Sequence, residues 1–385
     1  MFQMRDYQKK AVDSAVEFFL HWNYKWWLAI LPTWSWKSIV IANIAQQLDG
    51  HILILQPSAE ILEQNYNKLI DAWAEDCKIY SASMKSKEIG KMTLAMIGSI
   101  INQKDLFDHF DYIIIDECHL VDHEKWQYKH MIESIWCKVL WLTATPYRLK
   151  IYQTAPMLKF LTRVKNPIFQ KVVHVTQIKD IDCLWFLSDV KYYEIKAIKQ
   201  SELRVNSTGN DYTDKSMREH FDDIQLDEKV IEIVERVNNK RNHILVFTRF
   251  VEDADRIQYK LNQKWIKSAY VSWETKKKER KQILDDFRSW KIKVVLNVWV
   301  LTTWFDFPAL DTVINTRPTR SLGLYYQIVG RGMRPHESKD ACRFIDMTET
   351  YKRFWEVRDL YIQNQWWGKR VVCTYWKQLT NVFLN

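Results

Sequence analysis

The 385-residue sequence predicts an α/β protein made of two doubly wound parallel-sheet domains in tandem. Short apolar runs of strand length alternate with helical stretches along most of the chain, the pattern of parallel sheets covered by helices on both faces. The length exceeds that of one typical domain and suggests two, each able to bury its own core. Polar clusters follow several of the apolar runs, at the carboxyl ends of strands where open α/β sheets collect ligands. The expected organisation is a first domain over 1–160, a connecting segment over 161–205, a second domain over 206–352 and a C-terminal tail over 353–385.

In the first half, Met4 to Leu20 has helical spacing of apolar residues. Leu28 to Ile39 (LAILPTWSWKSI) reads as a short strand, a tight turn, and a helix opening at Lys37-Ser38 and running to Leu48. His51 to Gln56 is a buried-type strand, Ser58 to Leu69 a helix and Cys77 to Ser81 a strand, and the apolar alternation continues over 92–101. Tyr112 to Ile115 is a strand ending in Asp116-Glu117-Cys118-His119, and Lys138 to Leu142 a strand ending in Thr143-Ala144-Thr145-Pro146. From Pro146 to about Asn206 the pattern is irregular, a connection with a few crossing strands. Asn206 to Asp214 is polar and turn-rich, an exposed loop. Alternation then returns: helices at Leu226–Arg236, Ala254–Leu261 and Lys277–Phe287, with strands at His243–Phe247, Ser268–Val271 and Lys293–Asn297.

The net charge of +9 and sequence pI near 9.0 favour a polyanionic partner, nucleic acid before membrane, although a lysine-rich soluble surface accounts for charge equally well. Six scattered cysteines form no CxxC pair, so neither a zinc site nor a disulfide framework is expected, and the compartment should be reducing. No apolar run reaches the roughly 18 residues of a membrane span, and MFQMRDYQKK is no signal peptide. A cytoplasmic monomer with no membrane association is expected.

Three clusters carry chemistry. The turn of residues Thr33, Trp34, Ser35 and Trp36 before Lys37-Ser38 has the layout of a loop that cradles a nucleotide phosphate. In such a loop backbone N–H groups and a helix N-terminus face the phosphates, the lysine reaches the β- and γ-phosphates, and the hydroxyl ligates Mg²⁺. Beside it, Asp116 can hold Mg²⁺ and Glu117 can orient or deprotonate water. A D-E pair alone is usually a solvated strand end; YIII before it and the K-S loop upstream give it the functional reading. His119 reads as a satisfied loop histidine or as a coupling group, and Thr143 and Thr145 as caps or as coupling groups. In the second half, Thr303 and Asp306 would stand at a strand end, and Arg331 and Arg334, three apart, would share a face of a helical turn and could stabilise charge on a transferring phosphate. The run Lys276 to Lys281 is a solvated helix face or a phosphate-backbone contact.

Taken together these residues resemble a superfamily 2 helicase core. Arg5-x-Tyr7-Gln8 resembles the adenine-reading motif and TWSWKS resembles TGSGKS. DECH, TATP, VFTRF, TTWFD (family TTGFD) and QIVGRGMRP follow in the family order over about residues 3–350. LTTxFD with YQIVGRGMRPH and FIDMTET is most similar to RadD-like DNA repair helicases; these can carry a C-terminal cysteine-rich module, which is not expected here because only Cys373 stands near the end. The resemblance implies two RecA-like domains using ATP and Mg²⁺ in an interdomain cleft, with nucleic acid, DNA first, held by backbone contacts. It implies that Arg5 and Gln8 read adenine, Lys37 and Ser38 hold phosphate and Mg²⁺, and Asp116 and Glu117 hold Mg²⁺ and water. It also implies that Gln327, Arg331 and Arg334 sense the γ-phosphate with Asp306 in the same network, while His119, Thr143 and Thr145 couple hydrolysis to domain movement. An RNA helicase of the same superfamily fits the same motifs.

The departures from that pattern are of one kind. Trp34, Trp36 and Trp304 stand where the motifs have glycine, and Trp73, Trp136, Trp265 and Trp290 follow helices where a left-handed glycine usually sits. Trp26-Trp27 and Trp366-Trp367 also read as glycine clusters. The chain has 19 Trp and only 8 Gly; together they make up about 7% of it, the usual share of glycine alone. This pattern leads to the expectation that UGA codons meaning glycine have been read as tryptophan. If the tryptophans are real, the contrasting function is a non-hydrolysing nucleic-acid-binding scaffold whose indoles stack on bases.

Overall fold

The computed structural model describes residues 4–383 apart from 22–25, 72–75, 122–125, 135–136, 153–154, 165–168, 170, 185, 302–305, 367–368 and 376. Trp73, Trp136, Thr303, Trp304 and Trp367 therefore lie outside the described residues. The chain forms two compact units. One comprises residues 1–148, 159–181 and 361–373, the other residues 149–158, 182–360 and 374–385.

The strands are β1 (Trp26–Ile30), β2 (Ile52–Gln56), β3 (Cys77–Ser81), β4 (Ser86–Lys87), β5 (Met92–Met96), β6 (Tyr112–Ile115), β7 (Lys138–Thr143), β8 (Tyr147–Tyr152), β9 (Ala155–Phe160) and β10 (Lys171–Val175). Eight of these make the first sheet, in the order β10-β1-β7-β6-β2-β5-β3-β4, parallel except for the β3–β4 edge pair; β8 and β9 pair with each other. The central strands are mostly apolar because both faces are covered: every residue of β2 is buried, the polar Gln56 at its end included. The helix Asp6–His21 lays Ala11, Val12, Ala15, Phe18 and Phe19 on the sheet, and Phe18 stacks on Trp27 of β1 with centroids 5.6 Å apart. Its carboxyl end is closed by Lys138, whose Nζ donates to the carbonyls of Phe19 at 2.6 Å and Phe18 at 3.3 Å.

The second sheet uses β11 (Asp189–Glu194), β12 (Ile244–Thr248), β13 (Ser268–Val271), β14 (Val294–Val298), β15 (Thr312–Asn315) and β16 (Ala341–Asp346), in the order β11-β16-β15-β12-β14-β13 and entirely parallel. Both cores are therefore doubly wound, and the α/β tandem expected from the periodicity is the observed architecture. The stretch expected to connect the domains contains β10 of the first sheet and β11 of the second. The stretch expected as a tail contains an antiparallel hairpin, β17 (Tyr361–Asn364) with β18 (Arg370–Cys373). The strand β15 and the helix Asp214–Asp223 are not among the elements read from the sequence; the helix carries few apolar residues among its charged ones.

The backbone carries a peculiar set of left-handed residues. Among the described residues eleven that are not glycine have positive φ, and five of them are tryptophans: Trp36 (57°), Trp265 (62°), Trp290 (69°), Trp299 (68°) and Trp355 (64°). For a bulky side chain this conformation is an outlier costing about 1–2 kcal/mol per residue. Trp141 is strained differently: it is fully buried in β7 and its indole N–H has no hydrogen-bond partner, a burial costing about 1–3 kcal/mol.

Candidate nucleotide and nucleic-acid sites

In the first unit the turn after β1 puts the Lys37 ammonium between two carboxylates from the end of β6. Lys37 Nζ lies 3.3 Å from Asp116 Oδ1 and makes a closer contact with Glu117 Oε1. Asp116 is buried, accepts from Asn65 Nδ2 at 3.1 Å, and also accepts the Glu117 backbone N–H at 2.8 Å. Burial alone would depress the Lys37 ammonium, but the charges of Asp116 and then Glu117 outweigh it and its pKa is raised. Burial raises Asp116, and Lys37 opposes that shift. Glu117 is held in a left-handed conformation (φ 46°), which turns its side chain back toward Lys37.

The neighbouring polar groups are tied to the same strand ends. His119 Nδ1 lies 2.9 Å from Thr143 Oγ1 and 3.3 Å from Glu117 Oε2. Burial, reinforced by the Lys37 and Arg148 charges, pushes His119 down to about 3, so the ring is neutral. Thr143 Oγ1 also accepts the Thr145 backbone N–H at 3.0 Å. Gln8 is buried; its Nε2 donates to the Ser35 carbonyl at 3.0 Å while its Oε1 accepts the Arg5 N–H at 2.9 Å. Ser35 Oγ donates to the Pro32 carbonyl at 2.7 Å, and Ser38 is buried in the first turn of the helix. Trp36 occupies the helix N-cap with no side-chain capping bond, and its indole faces the Arg5 guanidinium at 5.2 Å. Trp34 is buried and Thr33 half-buried. Thus Arg5, Gln8, Thr33 to Ser38, Asp116, Glu117, His119, Thr143 and Thr145 all fall on one end of the first sheet.

Two residues there carried no signal in the sequence. Asn65 sits inside the helix Ala59–Asp71 and becomes visible only when that helix packs beside β6. Arg148 donates through Nε and Nη2 to the His119 carbonyl at 3.0 and 2.6 Å, fixing the loop after β6.

In the second unit Gln327 lies on the helix Leu322–Gly330, capped by Ser321, whose Oγ accepts the Leu324 N–H at 3.3 Å. The helix ends at Gly330, so Arg331 and Arg334 do not share a face of a helical turn as their spacing suggested. In the turn that follows, Gly332 lies against Cys342: a Cβ there would come within 2.3 Å of its Sγ. Arg331 is buried, and Arg334 Nη1 pairs with Asp306 Oδ1 at 2.7 Å. Burial lowers Arg334, and Asp306 opposes that shift.

A second arginine group, unassigned by sequence, gathers at the ends of β12, β14 and β15. Arg317 and Arg249 face the Trp299 indole from 3.2 and 4.4 Å. Arg249 pairs with Asp214 at 2.7 Å and Asp211 at 3.5 Å, while the Nε of the buried Arg317 has no hydrogen-bond partner. Burial, then the Arg249 charge, pulls Arg317 down to about 9. Arg249 lies in VFTRF, the one available hint; Arg317 had none.

Among the described residues no group of three or more His, Cys, Asp or Glu side chains gathers to hold a metal. A Mg²⁺ bound through one carboxylate, a hydroxyl and substrate phosphates needs no such cage. Asp116 and Ser38 fit that donor set: both are hard oxygen ligands, and the Asp116 carboxylate already neutralises a cation, the Lys37 ammonium.

A lysine opening the helix after β1 and a carboxylate pair ending β6, on a doubly wound sheet, define a phosphate-loop α/β protein. Residues 1–148 match the family described as type III restriction enzyme, res subunit, and residues 225–336 match the helicase conserved C-terminal domain. The chain belongs to superfamily 2 of the helicases, with two RecA-like domains in tandem. It is 25% identical over 370 residues to IRC3 of Saccharomyces cerevisiae, covering 89% of this chain and 51% of that one. The type ISP restriction-modification enzyme LlaBIII, solved bound to DNA, superposes with a TM-score of 0.64 at 19% identity, over 90% of this chain and 28% of that one. Dbp5 of S. cerevisiae, solved bound to RNA and ADP BeF3, superposes with a TM-score of 0.57 at 12% identity, over 91% of this chain and 87% of that one. The chain thus spans about half the length of its curated relative IRC3.

Proposed function

We propose that this protein is an ATP-dependent, Mg²⁺-requiring helicase or translocase acting on DNA, in repair or recombination as in the RadD-like helicases it resembles. The observation that carries the reading is the buried Lys37–Asp116–Glu117 cluster at the carboxyl ends of β1 and β6. The lysine contacts the two carboxylates that nucleotide hydrolysis requires, one for the metal and one for water. In this reading incoming phosphates draw Lys37 away, freeing Asp116 for the metal and Glu117 for the attacking water. Bound Mg²⁺ neutralises charge on the β- and γ-phosphates. Arg5 and Gln8 read adenine, Thr33 to Ser38 wrap the phosphates, and neutral His119 relays the state of Glu117 to Thr143 and Thr145. Arg331, Arg334, Gln327 and Asp306 form the γ-phosphate sensor of the second domain, with domains at 1–160 and 206–352. Arg249 and Arg317 supply phosphate-backbone contacts, which favours nucleic acid recognised without sequence readout.

The reading requires glycine at 34 and 36, since indoles there occupy space that phosphates need. Its test is ATP turnover by a chain carrying glycine at the tryptophan positions, with single-stranded DNA, duplex DNA, RNA or no nucleic acid. DNA-stimulated turnover is expected. Stimulation by RNA alone would move the substrate to RNA, and absence of any stimulated turnover sinks the motor reading in favour of a binding scaffold.

A further inference from the structure

We propose that the protein made in its own cell carries glycine at residues 36, 265, 290, 299 and 355, encoded by UGA read as glycine. The inference goes beyond the catalytic reading and rests on backbone geometry rather than on motif resemblance. Twelve tryptophans lie among the described residues, and five of them have positive φ. The six other non-glycine residues with positive φ are Asp76, Lys85, Glu117, Gln225, Glu349 and Asn381, all polar, and asparagine and aspartate are the types that tolerate this region best.

Two of the five sit in a complete glycine-type helix stop. After the helix Val251–Gln263 the N–H of residue 265 donates to the Asn262 carbonyl at 3.1 Å, and the N–H of Ile266 to the Leu261 carbonyl at 3.0 Å. After Lys277–Arg288 the N–H of residue 290 donates to the Phe287 carbonyl at 3.4 Å, and that of Lys291 to the Asp286 carbonyl at 2.9 Å. This paired 5→2 and 6→1 pattern is the Schellman motif, whose left-handed position is usually glycine. Residue 355 is more telling: with φ 64° and ψ −162° it lies in a region that is essentially glycine-only. Residue 36 is left-handed in both angles, where the phosphate loop enters its helix.

The side chains do make contacts: Trp36 faces Arg5, Trp299 faces Arg249 and Arg317, Trp290 meets His243 edge-on at 4.9 Å and Trp355 stacks on Tyr351 at 5.2 Å. None of these contacts requires a left-handed backbone. The indole of Trp265 is 93% exposed, and those of Trp290 and Trp299 are 59% and 46% exposed. A base-stacking platform needs an exposed indole but not a left-handed backbone. Residues 299 and 355 stand outside the positions that sequence spacing picked out, so geometry extends the set independently. Glycine at 299 would also open the face shared by Arg249 and Arg317.

Peptide mass spectrometry of the protein isolated from its native cells tests the proposal without reference to activity. Peptides spanning 265, 290, 299 and 355 are expected at glycine masses; tryptophan masses at these positions overturn the proposal. Sequencing the gene is a parallel test, UGA codons being expected and UGG codons fatal. As a check on the physical argument, Trp265→Gly and Trp290→Gly are expected to raise the thermal midpoint by a few degrees each. A fall in both variants would show that the fold is built for tryptophan there. Failure of the motor reading would leave all of these outcomes untouched.

Discussion

The two sheets share one architecture but treat charge in opposite ways. At the site end of the first sheet the carboxylates outnumber the cation that pairs with them: Lys37 faces both Asp116 and Glu117, and His119 is kept neutral. The corresponding polar groups of the second sheet are rich in arginine. Arg331 is buried, Arg334 pairs with Asp306, and Arg317 has a buried donor with no partner. In the proposed function, the first site keeps the anions that would hold a metal and position water, and holds them in reserve with a lysine. In the same proposal, the second site, which would receive phosphate charge, keeps cations desolvated, where their field is strongest. Two doubly wound sheets of different size thus differ in charge through a few residues at strand ends.

The contrast can be broken from either side. In the glycine-bearing chain, Lys37→Ala should cut ATP turnover at least about 100-fold, read in a steady-state phosphate-release assay. Retention of turnover would remove Lys37 from the mechanism. Glu117→Gln should abolish turnover comparably while leaving nucleotide binding, measured by titration, within a few-fold, because it removes the base but not the phosphate contacts. Arg334→Ala should lower kcat by about 10³-fold if it acts as an arginine finger. A change in KM alone would make it a binding residue. Arg317→Ala should weaken nucleic-acid binding equally across sequences and reduce the slope of log affinity against log salt by about one. A change confined to one sequence would contradict a backbone contact.

The smallest expected effect is on acid stability. His119 titrates near 6.5 when unfolded but near 3 when folded, so between these values the unfolded chain binds the extra proton. Its contribution is therefore constant above about pH 6.5 and is lost as the pH falls toward 3. The raised pKa of Asp116 acts in the opposite sense, favouring the folded state on acidification. His119→Gln should consequently show a smaller drop in thermal midpoint between pH 7 and pH 5 than the parent chain. Equal drops would mean that His119 is not held neutral.

The sequence by itself determined the α/β alternation, the residues of β3, β6 and β13 to the position, and the phosphate-loop lysine with its carboxylate partners, because each is written in a local period or a contiguous motif. It also marked the oddity of the tryptophans through composition and spacing. Only the tertiary structure decided which residues surround those motifs. Asn65 and Arg148 serve the first site from positions whose local sequence is indistinguishable from an ordinary helix face or strand. Arg317 meets Arg249 only because β12 and β15 are neighbours in the sheet although far apart in the chain. The close approach of Gly332 to Cys342, in the turn after the helix that precedes Arg331, is likewise invisible in spacing. Backbone handedness belongs to the same class. That residues 299 and 355 need φ values suited to glycine follows from the turns the packed sheets impose, and no local pattern of residue types announces it.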